Sequence, residues 1–207
     1  MYAKICGVKE SITLNYIINH KNPPKFVGFI TNYAKSKRYI EYENLNKLTD
    51  VEKKGINFVS VLVNPDEEIL EKIKNLNFDY YQLYDVSAEK TKSIKEKYNI
   101  KIISALTIEN KKDVERYKDY ELISDIILFD SKGYEKSVGF DHELLNNVPN
   151  SITKMLAGNI QYNDKLDKYS KITDIIDISG SLETSGKKDI SKVNIFLENI
   201  SNINDAN

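Results

Sequence analysis

The chain has 207 residues, 41% of them hydrophobic, enough to enclose one substantial core. Thirty basic residues against 31 acidic ones leave a net charge of −1, and the lysines are spread among acids, which argues against a nucleic-acid surface. No apolar run approaches the roughly 20 residues of a membrane-spanning helix, and a single cysteine excludes an internal disulfide.

The amino terminus lacks the basic flank, long apolar stretch and small-residue cleavage site of a secretory signal, so a reducing, cytoplasmic setting is expected. Cys6 and two distant histidines, His20 and His142, offer no zinc-ligand spacing. No metal is expected, and both histidines read as surface residues.

Ala3 to Cys6 reads as a short strand, Gly7 frees the backbone to turn, and Lys9 to Asn19 has helical periodicity. Cys6 therefore stands where a strand gives way to a loop; taken alone, it reads as a small buried hydrophobe. The second strand, Phe26 to Ile30, leads through a basic loop to a helical stretch from Glu43 to Lys53. Asn57 to Val63 follows, and then Pro65 to Asn75, where Ile69, Leu70 and Ile73 begin an apolar stripe and Pro65 suits a helix start. Tyr80 to Leu83 pairs in the same way with Ala88 to Tyr98, and Lys101 to Ala105 with Lys111 to Tyr117. Asp125 to Phe129 precedes the shortest helical stretch, His142 to Asn147. Thr153 to Ala157 precedes Asn163 to Tyr169, and Ile175 to Ser179 precedes Asp189 to Ile200. The polar tail, 201–207, is expected to fray.

Regular alternation of strand and helix implies right-handed crossovers and a parallel sheet. Eight such repeats point to a single-domain (β/α)8 TIM barrel over residues 1–200. No Gly-rich dinucleotide fingerprint follows the first strand, which weighs against an open doubly wound sheet. In a barrel of this kind the site is built at the carboxyl ends of the strands. Cys6, Gln82, Asp130, Gly158 and Ser179-Gly180 are therefore expected to converge on one mouth. Side chains two apart share a face, so Lys4 lies one layer below Cys6 and Asp177 one layer below Ser179. Strands one and eight are neighbours in a closed barrel, and either charge buried alone would be costly. A buried Lys4–Asp177 ion pair is expected to floor the site.

Several short segments recur in an informative order: Lys4-Ile5-Cys6-Gly7, Val27-Gly28-Phe29, Lys35-Ser36-Lys37-Arg38-Tyr39-Ile40, Gln82-Leu83, Asp130, Phe140-Asp141, Ala157-Gly158, Asp177-Ile178-Ser179 and Gly186-Lys187-Lys188-Asp189. With them the chain resembles, over nearly its whole length, the phosphoribosylanthranilate isomerase family of tryptophan biosynthesis. The resemblance implies an Amadori rearrangement of N-(5′-phosphoribosyl)anthranilate to 1-(2-carboxyphenylamino)-1-deoxyribulose 5-phosphate, without a cofactor. It makes Asp130 the general acid that opens the furanose ring and Cys6 the general base that takes the neighbouring carbon-bound proton. Arg38 becomes the clamp for the anthranilate carboxylate, because its planar fork matches two oxygens. Gly158, Asn159, Gly180 and Ser181 become the phosphate loops after strands seven and eight. Gln82 and Ser179 complete the expected substrate contacts. The partner is then a small phosphosugar, and the chain is expected to act as a monomer.

Each role makes a demand. A free thiol titrates near about 8.5 and needs a cationic neighbour to serve as a base. An aspartate titrates near about 3.9 and needs burial or a nearby anion to donate a proton. Taken singly, Asp130 also reads as a turn cap, the Lys35 to Arg38 segment as a solvated loop, and the glycines as turn residues. For the whole chain the alternatives are a non-catalytic phosphosugar-binding barrel or another phosphosugar barrel enzyme, such as an epimerase or lyase. The departures from the family pattern fall on substrate-facing loops: Tyr84-Asp85 in place of His-Gly, a shorter loop from Ser131 to Gly139 containing Gly133, Asn159 in place of a second glycine, and Ser181 after Gly180.

Overall fold

Seven runs rich in Val, Ile, Phe and Tyr, with one Lys-Met-Leu run, form the barrel strands of the computed structural model, which describes residues 1–131 and 139–206. They are β1 (Tyr2–Cys6), β2 (Phe26–Ile30), β3 (Asn57–Val63), β4 (Tyr80–Tyr84), β5 (Lys101–Ile108), β6 (Ile126–Ser131), β7 (Lys154–Leu156) and β8 (Ile175–Ile178). All pair in parallel with their sequence neighbours, and β1 pairs with β8, so the sheet closes on itself as a (β/α)8 barrel.

The outer ring contains α1 (Ser11–Ile18), α2 (Tyr42–Thr49), α3 (Glu67–Ile73), α4 (Ala88–Tyr98), α5 (Lys111–Glu115) and α6 (Ile190–Asp205). Their starts are set by side-chain caps. Asp66 accepts from the Ile69 amide at α3, Ser87 from Lys90 at α4, and Asp189 from Ser191 at α6. Pro65 thus stands one residue ahead of the cap. At α5, Asn110 and Asp113 form a reciprocal capping box.

Two expected helices take another form. His142–Asn147 and Leu166–Tyr169 are 3-10 turns. In the second, Leu166 and Tyr169 are the buried residues, and a three-residue spacing suits the tighter turn. At the other end of the ring, α6 runs on through Ser201 to Asp205, and Asn204 clasps both the amino group and the carbonyl of Met1.

Two apolar layers follow from the strand period. Ile5, Val27, Phe29, Phe58, Ile127, Phe129 and Ile176 face the helices. Phe26, Val59, Val61, Ile103, Leu128 and Met155 fill the barrel. With the stagger that a closed barrel requires, the inward side chains stack in layers of alternate strands. Lys4, Val59, Ile103 and Met155 form one layer, and Gly28, Gln82, Leu128 and Asp177 the next. Cys6, Val61, Ala105 and Ala157 lie above them. Ile30, Tyr84, Asp130 and Ser179 ring the mouth.

Candidate active site

The two upper layers open into a cavity of about 430 Å³ at the carboxyl ends of the strands, lined by Cys6, Arg38, Tyr84, Asp130, Gly158, Asn159, Asp177, Ser179, Gly180 and Ser181 among others. Ile30, Val61 and Val63 give it an apolar wall, with Tyr33 and Ser36 from the loop after β2 also facing it.

Cys6 ends β1 as a buried free thiol. Its cross-strand neighbour is Gly28, where an added Cβ would lie 2.9 Å from Cys6 Sγ and 3.3 Å from Lys4 Cε. The missing side chain makes room for both groups. Below the thiol, Lys4 Nζ donates to Asp177 Oδ2 at 2.6 Å, with the lysine wholly buried. Burial opposes the ammonium charge, but Asp177 and Cys6 outweigh it and hold Lys4 above its ordinary range. Burial also pushes the Cys6 thiol up, while Lys4 and Lys188 pull it back.

Asp130 lies within β6, and the Tyr84 hydroxyl donates to its Oδ2 at 2.7 Å. Burial, opposed by this hydrogen bond and aided by the Asp177 charge, lifts Asp130 to about 6. Burial beside Asp130 pushes the Tyr84 phenol well above its usual range, so it remains a donor. Thus an acid that stays partly protonated near neutrality and a thiol set over a cation share one cavity.

Arg38 crosses from the loop after β2 to the loop after β8. Gly7, with φ of 73°, passes so close that a Cβ there would collide with Arg38 Cδ. Glu183 holds the guanidinium through Nε at 2.5 Å and Nη2 at 3.0 Å. After β7, Gly158 has φ of 93° and Asn159 φ of 53°. A Cβ on Gly158 would clash with Ser131, whereas Asn tolerates the left-handed region better than most residues.

Gln82 is the expected contact that the fold places elsewhere. It is buried two layers below the mouth and is absent from the cavity lining. Because β4 extends to Tyr84, the two-residue period brings that tyrosine to the mouth instead. Lys4 likewise lies beneath the cavity, reaching it through Asp177. Most of the loop from Ser131 to Gly139, including Gly133, lies outside the described residues.

The histidines depart from the surface positions expected of them. His20 is partly buried against Asn194, and His142 is packed between the rings of Phe140 and Tyr169. Sequence reasoning also missed Tyr84, Glu183 and Lys188. The last two belong to a hairpin of β9 (Glu183–Thr184) and β10 (Lys187–Lys188), whose turn residues Ser185 and Gly186 both have positive φ. A Ser-Gly pair between short polar runs is the signal that could have found it.

The family model for N-(5′phosphoribosyl)anthranilate (PRA) isomerase matches residues 3–199. The N-(5′-phosphoribosyl)anthranilate isomerase of Thermoanaerobacter pseudethanolicus is 31% identical over 206 residues, covering 97% of this chain and 98% of the relative. That of Staphylococcus haemolyticus is 32% identical over 218 residues, with 97% and 98% covered. The crystal structure of phosphoribosyl anthranilate isomerase from Thermotoga maritima matches with a TM-score of 0.86 at 26% identity, covering 98% of this chain and 99% of that one. A phosphoribosyl anthranilate isomerase in complex with reduced 1-(o-carboxyphenylamino)-1-deoxyribulose 5-phosphate matches with a TM-score of 0.84 at 25% identity and the same coverage.

Proposed function

The chain belongs to the N-(5′-phosphoribosyl)anthranilate isomerase family and is an aldose–ketose isomerase of tryptophan biosynthesis, and from that premise we propose that Asp130 and Cys6 carry its Amadori rearrangement as general acid and general base. The observation that carries the assignment is the shared cavity: a carboxyl lifted to about 6 and a thiol above a buried ammonium face one space.

In the first step protonated Asp130 gives its proton to the furanose ring oxygen. The C1′–O4′ bond breaks, and the nitrogen lone pair forms the C1′=N bond of the Schiff base. Asp130 is left as a carboxylate, held by the Tyr84 hydroxyl. In the second step the Cys6 thiolate takes the proton from C2′. That bonding pair forms C1′=C2′ and returns the electrons to nitrogen. The resulting enolamine tautomerises to the ketone, its C2′ hydroxyl losing a proton while C1′ gains one. Lys4 favours the thiolate form of Cys6 throughout, because its charge lies directly below.

The substrate's two anionic ends are assigned to different groups of the rim. Arg38 receives the anthranilate carboxylate, and the aromatic ring lies on the Ile30, Val61 and Val63 wall. Gly158, Asn159, Gly180 and Ser181 offer backbone amides to the phosphate, with Ser179 beside them.

The anthranilate fluorescence of the substrate, followed on adding purified protein, tests this reading. It should be lost with wild type and persist by orders of magnitude longer with Cys6→Ala or Asp130→Ala. Phosphosugar binding without turnover in wild type would sink it, and full activity in either variant would remove that residue's role. Rescue of a strain unable to make tryptophan is the matching test in cells.

A further inference from the structure

Arg38 lines the cavity, whereas Glu183, which holds it, and Lys188, which holds Glu183, are outside the lining. Glu183 occupies one edge of the guanidinium, the Nε and Nη2 side. A guanidinium can engage a carboxylate along more than one edge of its planar fork. With the side edge taken, the end edge made by Nη1 and the second Nη2 proton is left for a ligand.

Glu183 is itself held. It is the cross-strand partner of Lys188 in the β9–β10 hairpin, and Lys188 Nζ lies 2.9 Å from its Oε1. Lys188 is buried, and it also donates to the Ser179 carbonyl at 2.9 Å. Lys192 Nζ anchors the Glu183 carbonyl at 2.7 Å. The cluster therefore sets two cations against one carboxylate. Arg38 and Glu183 alone would present no net charge to an incoming anion; with Lys188 added, the receiving edge stays cationic.

We propose that Glu183 is a positioning residue that aims the end edge of Arg38 into the cavity, and that Lys188 is the counter-charge keeping this clamp selective for a substrate bearing an aryl carboxylate. The proposal rests on the assignment of Arg38 as the carboxylate clamp.

Calorimetric titration tests it with two probes: reduced 1-(o-carboxyphenylamino)-1-deoxyribulose 5-phosphate and the same compound lacking the ring carboxylate. Glu183→Gln should weaken the carboxylate-bearing probe by about tenfold or more, because the aim lost with the charge-assisted bidentate Arg38–Glu183 contact outweighs the negative charge removed, and leave the other probe's affinity unchanged. Arg38→Met should show the larger version of the same selectivity, and the double variant should match Arg38→Met, since Glu183 acts only through the arginine. Glu183→Asp should recover part of the loss. Lys188→Met, which leaves the Arg38–Glu183 pair in place, gives a second reading should Glu183→Gln not fold; because Lys188 also holds Ser179 beside the phosphate loop, it should weaken the carboxylate-bearing probe more than the other.

Equal weakening of both probes by Glu183→Gln, or losses that add to those of Arg38→Met, would make Glu183 a merely structural residue and overturn the proposal alone. An Arg38→Met substitution that weakens both probes by the same factor would overturn the clamp assignment beneath it. A wild-type chain that binds neither probe would overturn the isomerase reading as well.

Discussion

Lys4 and Asp177 meet across the seam that closes the barrel, register partners on β1 and β8 joined by a 2.6 Å ion pair that bridges the two layers below the Cys6 thiol. Both are buried, so each charge depends on the other. Lys4→Met should cost about 3–5 kcal/mol, because it leaves Asp177 charged and uncompensated. Lys4→Met combined with Asp177→Leu should cost less than the two single losses added. Urea unfolding of the four proteins measures the coupling, and additive losses would show that the pair does not act as a unit.

The two reacting groups titrate in an inverted order, and the pH profile should record it. The productive form has Asp130 protonated, with a value of about 6, and Cys6 ionised, with a value pushed above its ordinary 9.0. Below about pH 6 Asp130 is already protonated, and the thiolate fraction rises about tenfold per pH unit. Between the two values the thiolate gained offsets the acid lost. kcat/KM should therefore rise steeply to about pH 6, stay flat across neutrality and fall only in the alkaline range. A sharp maximum at neutral pH would contradict this ionic state.

The order of the barrel was legible because each strand is a short apolar run and each crossover carries a helical stripe. The facing of Lys4 and Asp177 needed only the two-residue period and closure. Tyr84 beside Asp130 was not legible: the two are 46 positions apart, and their meeting depends on the stagger between β4 and β6. Arg38 and Glu183, 145 apart, are joined only through the hairpin after β8. Local pattern also overstated helix at Leu166–Tyr169, since an apolar pair three apart satisfies a 3-10 turn as well as an α-helical one. A β4 ending at Leu83 would put Gln82 nearest the mouth; one further residue gives that position to Tyr84.

Tyr84 stabilises the Asp130 carboxylate, so Tyr84→Phe should move the acidic limb of kcat/KM to higher pH. The direction follows from what remains around Asp130. Burial and the Asp177 charge still raise it, and Lys4 and the Ser131 backbone still lower it, while the Tyr84 contribution is lost. Turnover should fall by about tenfold as the carboxyl loses the partner that orients it. An unmoved limb would leave Tyr84 as a packing residue only.

Asp130 also ties activity to stability. Its folded-state value of about 6 stands above the ordinary 3.8, so the fold disfavours its charged form. The stabilisation from holding it protonated is fully present below about pH 4, declines as pH rises, and is gone above about 6. The difference is worth up to about 3 kcal/mol. Asp130→Asn keeps the shape and can still accept from Tyr84, but it cannot ionise or donate a carboxylic proton. It should therefore be more stable than wild type at pH 8, equal to it near pH 4, and slower by at least about a hundredfold in turnover. Urea unfolding at the two pH values, with turnover measured alongside, checks all three. A variant no more stable than wild type at pH 8 would mean that the carboxylate is well solvated in the cavity, and the physical ground for its role as an acid near neutrality would be lost.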